Sequence, residues 1–244
     1  MADLHPMVAA AQGGALTAMG GRDALQARLG HVFGTDALLD EALRHRSALA
    51  VRRQGRNSNE RLEFVGDRVL GLLIAEWLIE RFPKEREGDL GKRLAALVSR
   101  DAVATVAEEM DLGSYLTLLA EEAKAGVAAR RSVLADALEA VLGALYLDGG
   151  LEAARRFVRT RWAAQVEGMA APPVAPKSRL QEWSLARGLG LPVYRLVSTE
   201  GPPHRPVFRV EARLGETAAE GSGVSKQAAE TEAAAALFAR VSGK

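Results

Sequence analysis

The stretch Val133 to Leu147 carries two charges, Asp136 and Glu139, and apolar residues in nearly every other direction of a helical projection. A helix that is hydrophobic all round is buried. Carboxylates on such a helix need a cation, because burying a bare charge is too costly. Asp136 and Glu139 are spaced i,i+3, so they share one face, continued by Gly143 and Leu147. The chain must therefore fold into something helical that buries two acids together.

A second segment supplies more of them. In Asn59-Glu60-Arg61-Leu62-Glu63-Phe64-Val65-Gly66-Asp67, Glu63 and Asp67 lie i,i+4 on one helical face, and Glu60 sits a turn earlier. Beyond Asp67 that face continues as Gly71, Ile74 and Leu78, and the opposite face carries Leu62, Val65, Val69 and Leu72. The helix thus reads as buried on both sides in its second half. Glu60, beside Asn57 and Ser58, is equally explained by N-terminal capping. Arg61 and Arg68 are nearby cations that could pair with the acids. Four carboxylates from two helices, flanked by small residues, make an all-oxygen site of the kind helical bundles use for metals. There is no Cys and no His at ligand spacing, so the donor set suits a hard cation, Mg²⁺ or Mn²⁺. Such an ion points to phosphoester hydrolysis, activating water and stabilising the leaving oxygen.

The organisation follows from Gly168 to Pro176, where three prolines in five residues favour an extended connector. Before it the pattern is helical throughout: a helix capped by Thr35, a long one from Asn59 to Phe82 ended by Pro83, then Asp89–Val98, Ala102–Met110, Ser132–Leu147 and Leu151–Glu167. Gly113 and Gly149 read as stops. After it come a helix over Ser178–Arg187, strands at Val193–Val197 and Val207–Ala212, a weaker strand at Thr217–Gly223, and an Ala-rich helix at Ser225–Arg240. The expectation is an all-α domain over 22–168, a linker over 169–175 and a small α+β domain of order α-β-β-β-α over 176–244. Residues 1–21 read as a flexible tail, without the basic and apolar regions of a signal peptide. The stretch from Val51 to Ser58 reads as a loop.

With 48% hydrophobic and 26% charged residues, disorder throughout, collagen and coiled coil are excluded. No apolar run is long enough to span a bilayer. The absence of Cys fits a reducing compartment. Residues 1–175 carry 22 basic and 24 acidic side chains, and residues 176–244 carry 10 and 7. That mild asymmetry permits a polyanion partner for the C-terminal part.

The segment Asn59 to Asp67 closely resembles the signature stretch of bacterial ribonuclease III. Leu134 to Ala140 resembles that family's second acidic motif and Glu87-Gly88-Asp89-Leu90 a third. The α-β-β-β-α tail resembles its double-stranded-RNA-binding domain, so the resemblance spans nearly all of residues 22–242. It implies a helical catalytic domain and a Mg²⁺-dependent endoribonuclease, with Mn²⁺ as a substitute ion. Glu63, Asp67, Asp136 and Glu139 would be the metal ligands and catalytic residues, Glu139 the most critical. Glu60 and Glu87 would be auxiliary acids, and Phe64 an apolar plug entering the partner subunit of a homodimer. The resemblance further implies cutting of double-stranded RNA to 5′-phosphate and 3′-hydroxyl ends with two-nucleotide 3′ overhangs, and cytoplasmic processing of ribosomal precursors and other structured transcripts.

Three regions of the tail match the family's RNA contacts. Gln181 and Glu182 on the first helix suit 2′-hydroxyls of a wide minor groove. His204, in the turn between the first two strands, could enter the next groove. Ser225 and Lys226 open the last helix, whose free N–H groups favour a phosphate. Here Lys226 is followed by Gln227 and Ala228, where the family often has further basic residues, so fewer phosphate contacts are expected. Two other readings remain: a non-catalytic RNA-binding regulator, which would need a broken acidic set, and a hydrolase of small phosphates with the tail as an interaction module.

Overall fold

The computed structural model describes residues 21–49, 58–202 and 205–243; residues 1–20, the 50–57 stretch and His204 lie outside them. The chain divides into two compact units at Pro172 and Pro173.

The first unit is helical. Its elements are α1 (21–29), α2 (Asp36–Ala42), α3 (Glu60–Arg81), α4 (Glu87–Leu97), α5 (Arg100–Glu109), the short α6 (Ala120–Lys124), α7 (Arg131–Arg161) and α8 (Ala163–Glu167). The centre is α7, whose Leu134, Ala137, Leu138, Val141, Leu142 and Leu145 are all buried. Its apolar residues leave no solvent-facing side in that stretch, so neighbouring helices must surround it. α3 packs along α7 and buries Leu62, Leu70, Leu73, Ile74 and Leu78. Two ion pairs continue that seam, Arg155 to Glu76 at 3.0 Å and Arg159 to Glu80 at 2.5 Å. Residue numbers rise together along these contacts, so the two helices run in the same direction.

Several expectations are corrected. The stop read at Gly149 falls one residue on: Gly150, at φ +70° and ψ −175°, is non-helical and divides α7 into two helical segments, the second running on to Arg161. The left-handed residue after α5 is Asp111, at φ +51°, not Gly113. Asp tolerates that conformation, while Gly113 packs where a Cβ would lie 2.9 Å from the Ala128 carbonyl oxygen. Thr35 stands at the N-cap of α2 without a capping side-chain bond; its N–H instead donates to Asp148 at 3.1 Å. The second half of α3 is not buried on both sides. Leu72 is 57% and Ile79 63% exposed, in line with Phe64 on the face turned away from α7.

The second unit holds α9 (Pro176–Leu185), an antiparallel sheet of β1 (Val193–Glu200), β2 (Val207–Leu214) and β3 (Thr217–Gly223) in the order β1-β2-β3, and α10 (Lys226–Ser242). Pro176 sits in the first turn of α9, where a missing N–H costs nothing. Alternation along β2 buries Val210, Ala212 and Leu214 against the Ala229, Ala233 and Leu237 face of α10. β3 lies directly on that helix: a Cβ at Gly221 would fall 2.2 Å from the Ala233 nitrogen. Its small residues are a fitting surface, which is why it is a strand despite weak strand propensity.

Candidate functional site

Glu63 is in the first turn of α3, and Asp136 and Glu139 are on the second and third turns of α7. One carboxylate oxygen from each lies within 4.8 Å of the others, and all three side chains are half-buried. What brings them together is a backbone-to-backbone crossing one turn further on. A Cβ at Gly66 would sit 1.7 Å from the Glu139 carbonyl oxygen, and one at Gly143 would sit 2.2 Å from the Leu62 carbonyl oxygen. Only glycine permits that approach, and it leaves the acids on adjacent turns facing one another.

The electrostatics follow from this crowding. Burial pushes the Glu139 carboxyl up from 4.5 to about 7, reinforced by Glu63 and Asp136 and opposed by Arg100 and Arg68. Glu63 is also raised, by burial first and then by Asp136. Asp136 is raised by burial, against the pull of Arg100, His45 and Arg46. Its Oδ1 is buried and accepts no hydrogen bond, though the Arg100 guanidinium stands 3.5 Å away. Three carboxyls resisting ionisation, one with an orphaned oxygen, are what a hard divalent cation would relieve. The donor set fits such an ion.

The other predicted residues are placed as follows. Asp67 stands outside the group of three. One turn beyond Glu63, its carboxylate is engaged by Arg68. Glu60 is the first residue of α3 and accepts a hydrogen bond from the Ser58 hydroxyl at 3.0 Å, with the Arg46 guanidinium 4.0 Å away. It borders the group without joining it. Glu87 is exposed at the first turn of α4 and also stays outside. Phe64 is 65% exposed, with the Arg68 guanidinium over its ring, 5.1 Å from the centroid.

In the second unit Gln181 and Glu182 are exposed on α9, and Lys226 is exposed at the first turn of α10. The Ser225 hydroxyl accepts the Ala228 N–H at 3.2 Å. Its structural task is capping α10, so the N–H groups it leaves for a ligand are fewer than expected.

Two features went unread in the sequence. Arg100, the first residue of α5, is the cation nearest the acids; Arg61 and Arg68 had been the expected partners. Only its place after the Ser99 helix cap hinted that it heads a helix, and nothing local tied that helix to α7. The second is a cavity of about 320 Å³ beside the acids, lined by Glu60, Glu63 and Asp136 together with Arg46, Arg100 and Arg130.

Known proteins share this arrangement of parts. A family profile described as Ribonuclease-III-like matches residues 35–166, and one described as Double-stranded RNA binding motif matches residues 176–240. The Ribonuclease 3 of Azorhizobium caulinodans is 48% identical over 218 residues, 89% of this chain and 93% of that protein. The Ribonuclease 3 of Rhodopseudomonas palustris is 49% identical, covering 89% of this chain and 80% of the relative. The solved nuclease domain of ribonuclease III from Campylobacter jejuni superposes with a TM-score of 0.53 at 37% identity, over 57% of this chain and 97% of that domain.

Proposed function

The chain belongs to the ribonuclease III family, its reaction is therefore metal-dependent endonucleolytic hydrolysis of double-stranded RNA, and we propose that the ion is Mg²⁺, held by Glu63, Asp136, Glu139 and Asp67. The observation that carries the ligand set is the meeting of three carboxylates within 4.8 Å on α3 and α7. Asp67 is included for its family motif and its place one turn after Glu63; its pairing with Arg68 must break for it to serve. When bound, the ion supplies Lewis acidity to the phosphodiester and its attacking water. The residues of the chain do the rest. The Gly66 and Gly143 crossing fixes the carboxylates in place before substrate arrives, so little reorganisation is needed at the moment of reaction. Glu60 and Glu87 are auxiliary acids flanking the strand. The products are 5′-phosphate and 3′-hydroxyl ends with short 3′ overhangs, and Mn²⁺ substitutes for Mg²⁺.

The second unit presents duplex RNA through Gln181, Glu182, His204 and the start of α10 at Ser225 and Lys226. Contacts to 2′-hydroxyls and phosphates read shape rather than sequence. Residues 22–168 form the catalytic and dimerisation domain, 169–175 the linker and 176–244 the RNA-binding domain. The working unit is a homodimer. The Campylobacter jejuni nuclease domain has a region involved in dimer formation. Here Phe64, Leu72 and Ile79 form an exposed apolar stripe on α3, and Phe64 would plug the partner. No helix among the described residues is long and apolar enough to cross a membrane; the setting is the cytoplasm, where ribosomal precursors and other structured transcripts are processed.

A labelled RNA hairpin incubated with and without Mg²⁺ tests the reading. Mg²⁺-dependent cutting of the duplex, lost in Glu139→Gln while RNA binding persists, is the expected result. Binding without cutting by the unmodified protein would sink the catalytic claim.

A further inference from the structure

The cavity beside the acids contains more positive charge than metal binding alone requires. Glu60, Glu63 and Asp136 border it, but so do Arg46, Arg100 and Arg130. Two of these guanidiniums are already engaged, Arg100 with Asp136 at 3.5 Å and Arg46 with Glu60 at 4.0 Å. The Arg130 side chain is exposed and makes no hydrogen bond or ion pair with any described residue. It occupies the N-cap of α7, a helix end that no described side chain caps. Ser132 and Val133 of the first turn also border the cavity, so the positive N-terminal end of α7 opens beside the Arg130 guanidinium. One carboxylate facing this side, Glu122, lies 3.4 Å from His45 Nδ1.

We propose that Arg130, with Arg100 beside it, is a substrate-binding residue that grips a backbone phosphate of the RNA strand next to the one held over the acid group. This deepens the ribonuclease reading and rests on it. A guanidinium binds phosphate in a bidentate fork, and a helix N-terminus adds N–H groups and a favourable dipole to the same anion. Acids and arginines thus line one cavity. The acids would hold the cation needed for hydrolysis, and Arg130 and Arg100 would hold the strand in register with it. Because the grip is on phosphate, it is indifferent to base identity.

The test uses the full chain and a labelled RNA duplex. Arg130→Ala should raise KM about tenfold with kcat within about twofold, and should make the salt dependence of binding shallower by about one in the log–log slope. Slopes are measured in a Glu139→Gln background so that the RNA survives. Arg130→Lys, which keeps the charge, should recover most of the salt slope and part of KM. The melting temperature should not move, since the side chain bonds to no described residue. Normal KM and slope in Arg130→Ala overturn the proposal, and so does a loss of kcat accompanied by a fall in melting temperature. Failure of the unmodified protein to cut any duplex would instead overturn the ribonuclease reading, so the two failures are told apart.

Discussion

Gly66 on α3 and Gly143 on α7 meet backbone to backbone: an added Cβ on Gly66 would lie 2.9 Å from the Gly143 nitrogen and one on Gly143 3.1 Å from the Gly66 nitrogen. The distance between the helices, and with it the spacing of Glu63 from Glu139, is set by the absence of two methyl groups.

Gly143→Ala therefore forces the helices apart against backbone atoms that cannot rotate away. The expected cost is about 3 kcal/mol of unfolding free energy, at the upper end of ordinary overpacking, together with weakened Mg²⁺ binding. Gly91→Ala is the contrast. That position is mid-helix in α4 with only the Glu87 Oε1 atom at 3.9 Å, so it should gain up to about 1 kcal/mol from helix propensity. Urea denaturation of both variants checks the pair; equal effects would refute the crossing as the determinant.

The raised Glu139 carboxyl makes a pH prediction for the metal-free protein. The folded state keeps a proton up to about pH 7 that the unfolded chain releases near 4.5. The stabilisation from that proton is fully present below pH 4.5 and is lost as pH rises through about 7. Glu139→Gln should flatten the stability profile across this window. Added Mg²⁺ should reverse the trend, raising the melting temperature more at the alkaline end, because ligand carboxylates must be deprotonated. Thermal melts against pH, with Mg²⁺ and with a chelator, give the readout.

Asp148 behaves in the opposite sense. Its buried carboxylate accepts from His31 Nε2 at 2.8 Å and from the N–H groups of Gly34 and Thr35 at 3.0 and 3.1 Å. The His31 hydrogen bond holds it below the usual carboxylate range, with help from those two N–H groups. Its contribution is present at neutral pH and is lost only as acid protonates it. Asp148→Ala strands three donors and should cost about 2–3 kcal/mol at pH 7, with a smaller deficit in acid. A deficit that did not shrink in acid would mean that the carboxylate charge is not what matters.

Phe64 bears on assembly. As 65% of it is exposed, Phe64→Ala should barely alter the stability of the single chain. If the α3 stripe is the dimer face, Phe64→Ala should weaken the dimer, and Ile79→Glu should abolish it by placing a charge in an apolar contact. Sedimentation velocity over a concentration series reports both. A dimer indifferent to both substitutions would place the interface elsewhere.

Much of this was open to sequence reading because it is periodic. Apolar residues all round α7 required burial, and the i,i+3 and i,i+4 spacings required each helix's acids to share a face. The prolines from 172 to 176 required a break, and the alternation along β2 required a sheet with one covered side. Those inferences depend on geometry within a single segment. What only the tertiary structure decided is how segments far apart in the chain approach one another. It brought Glu63 to the α7 acids while leaving Asp67 with Arg68. It put Arg100 of α5, rather than Arg61 or Arg68, nearest Asp136, and it turned Phe64, Leu72 and Ile79 outward. The reason is physical: periodicity fixes direction around a helix axis, whereas the separation and rotation of two axes depend on which backbones can touch, and here that is settled at Gly66 and Gly143.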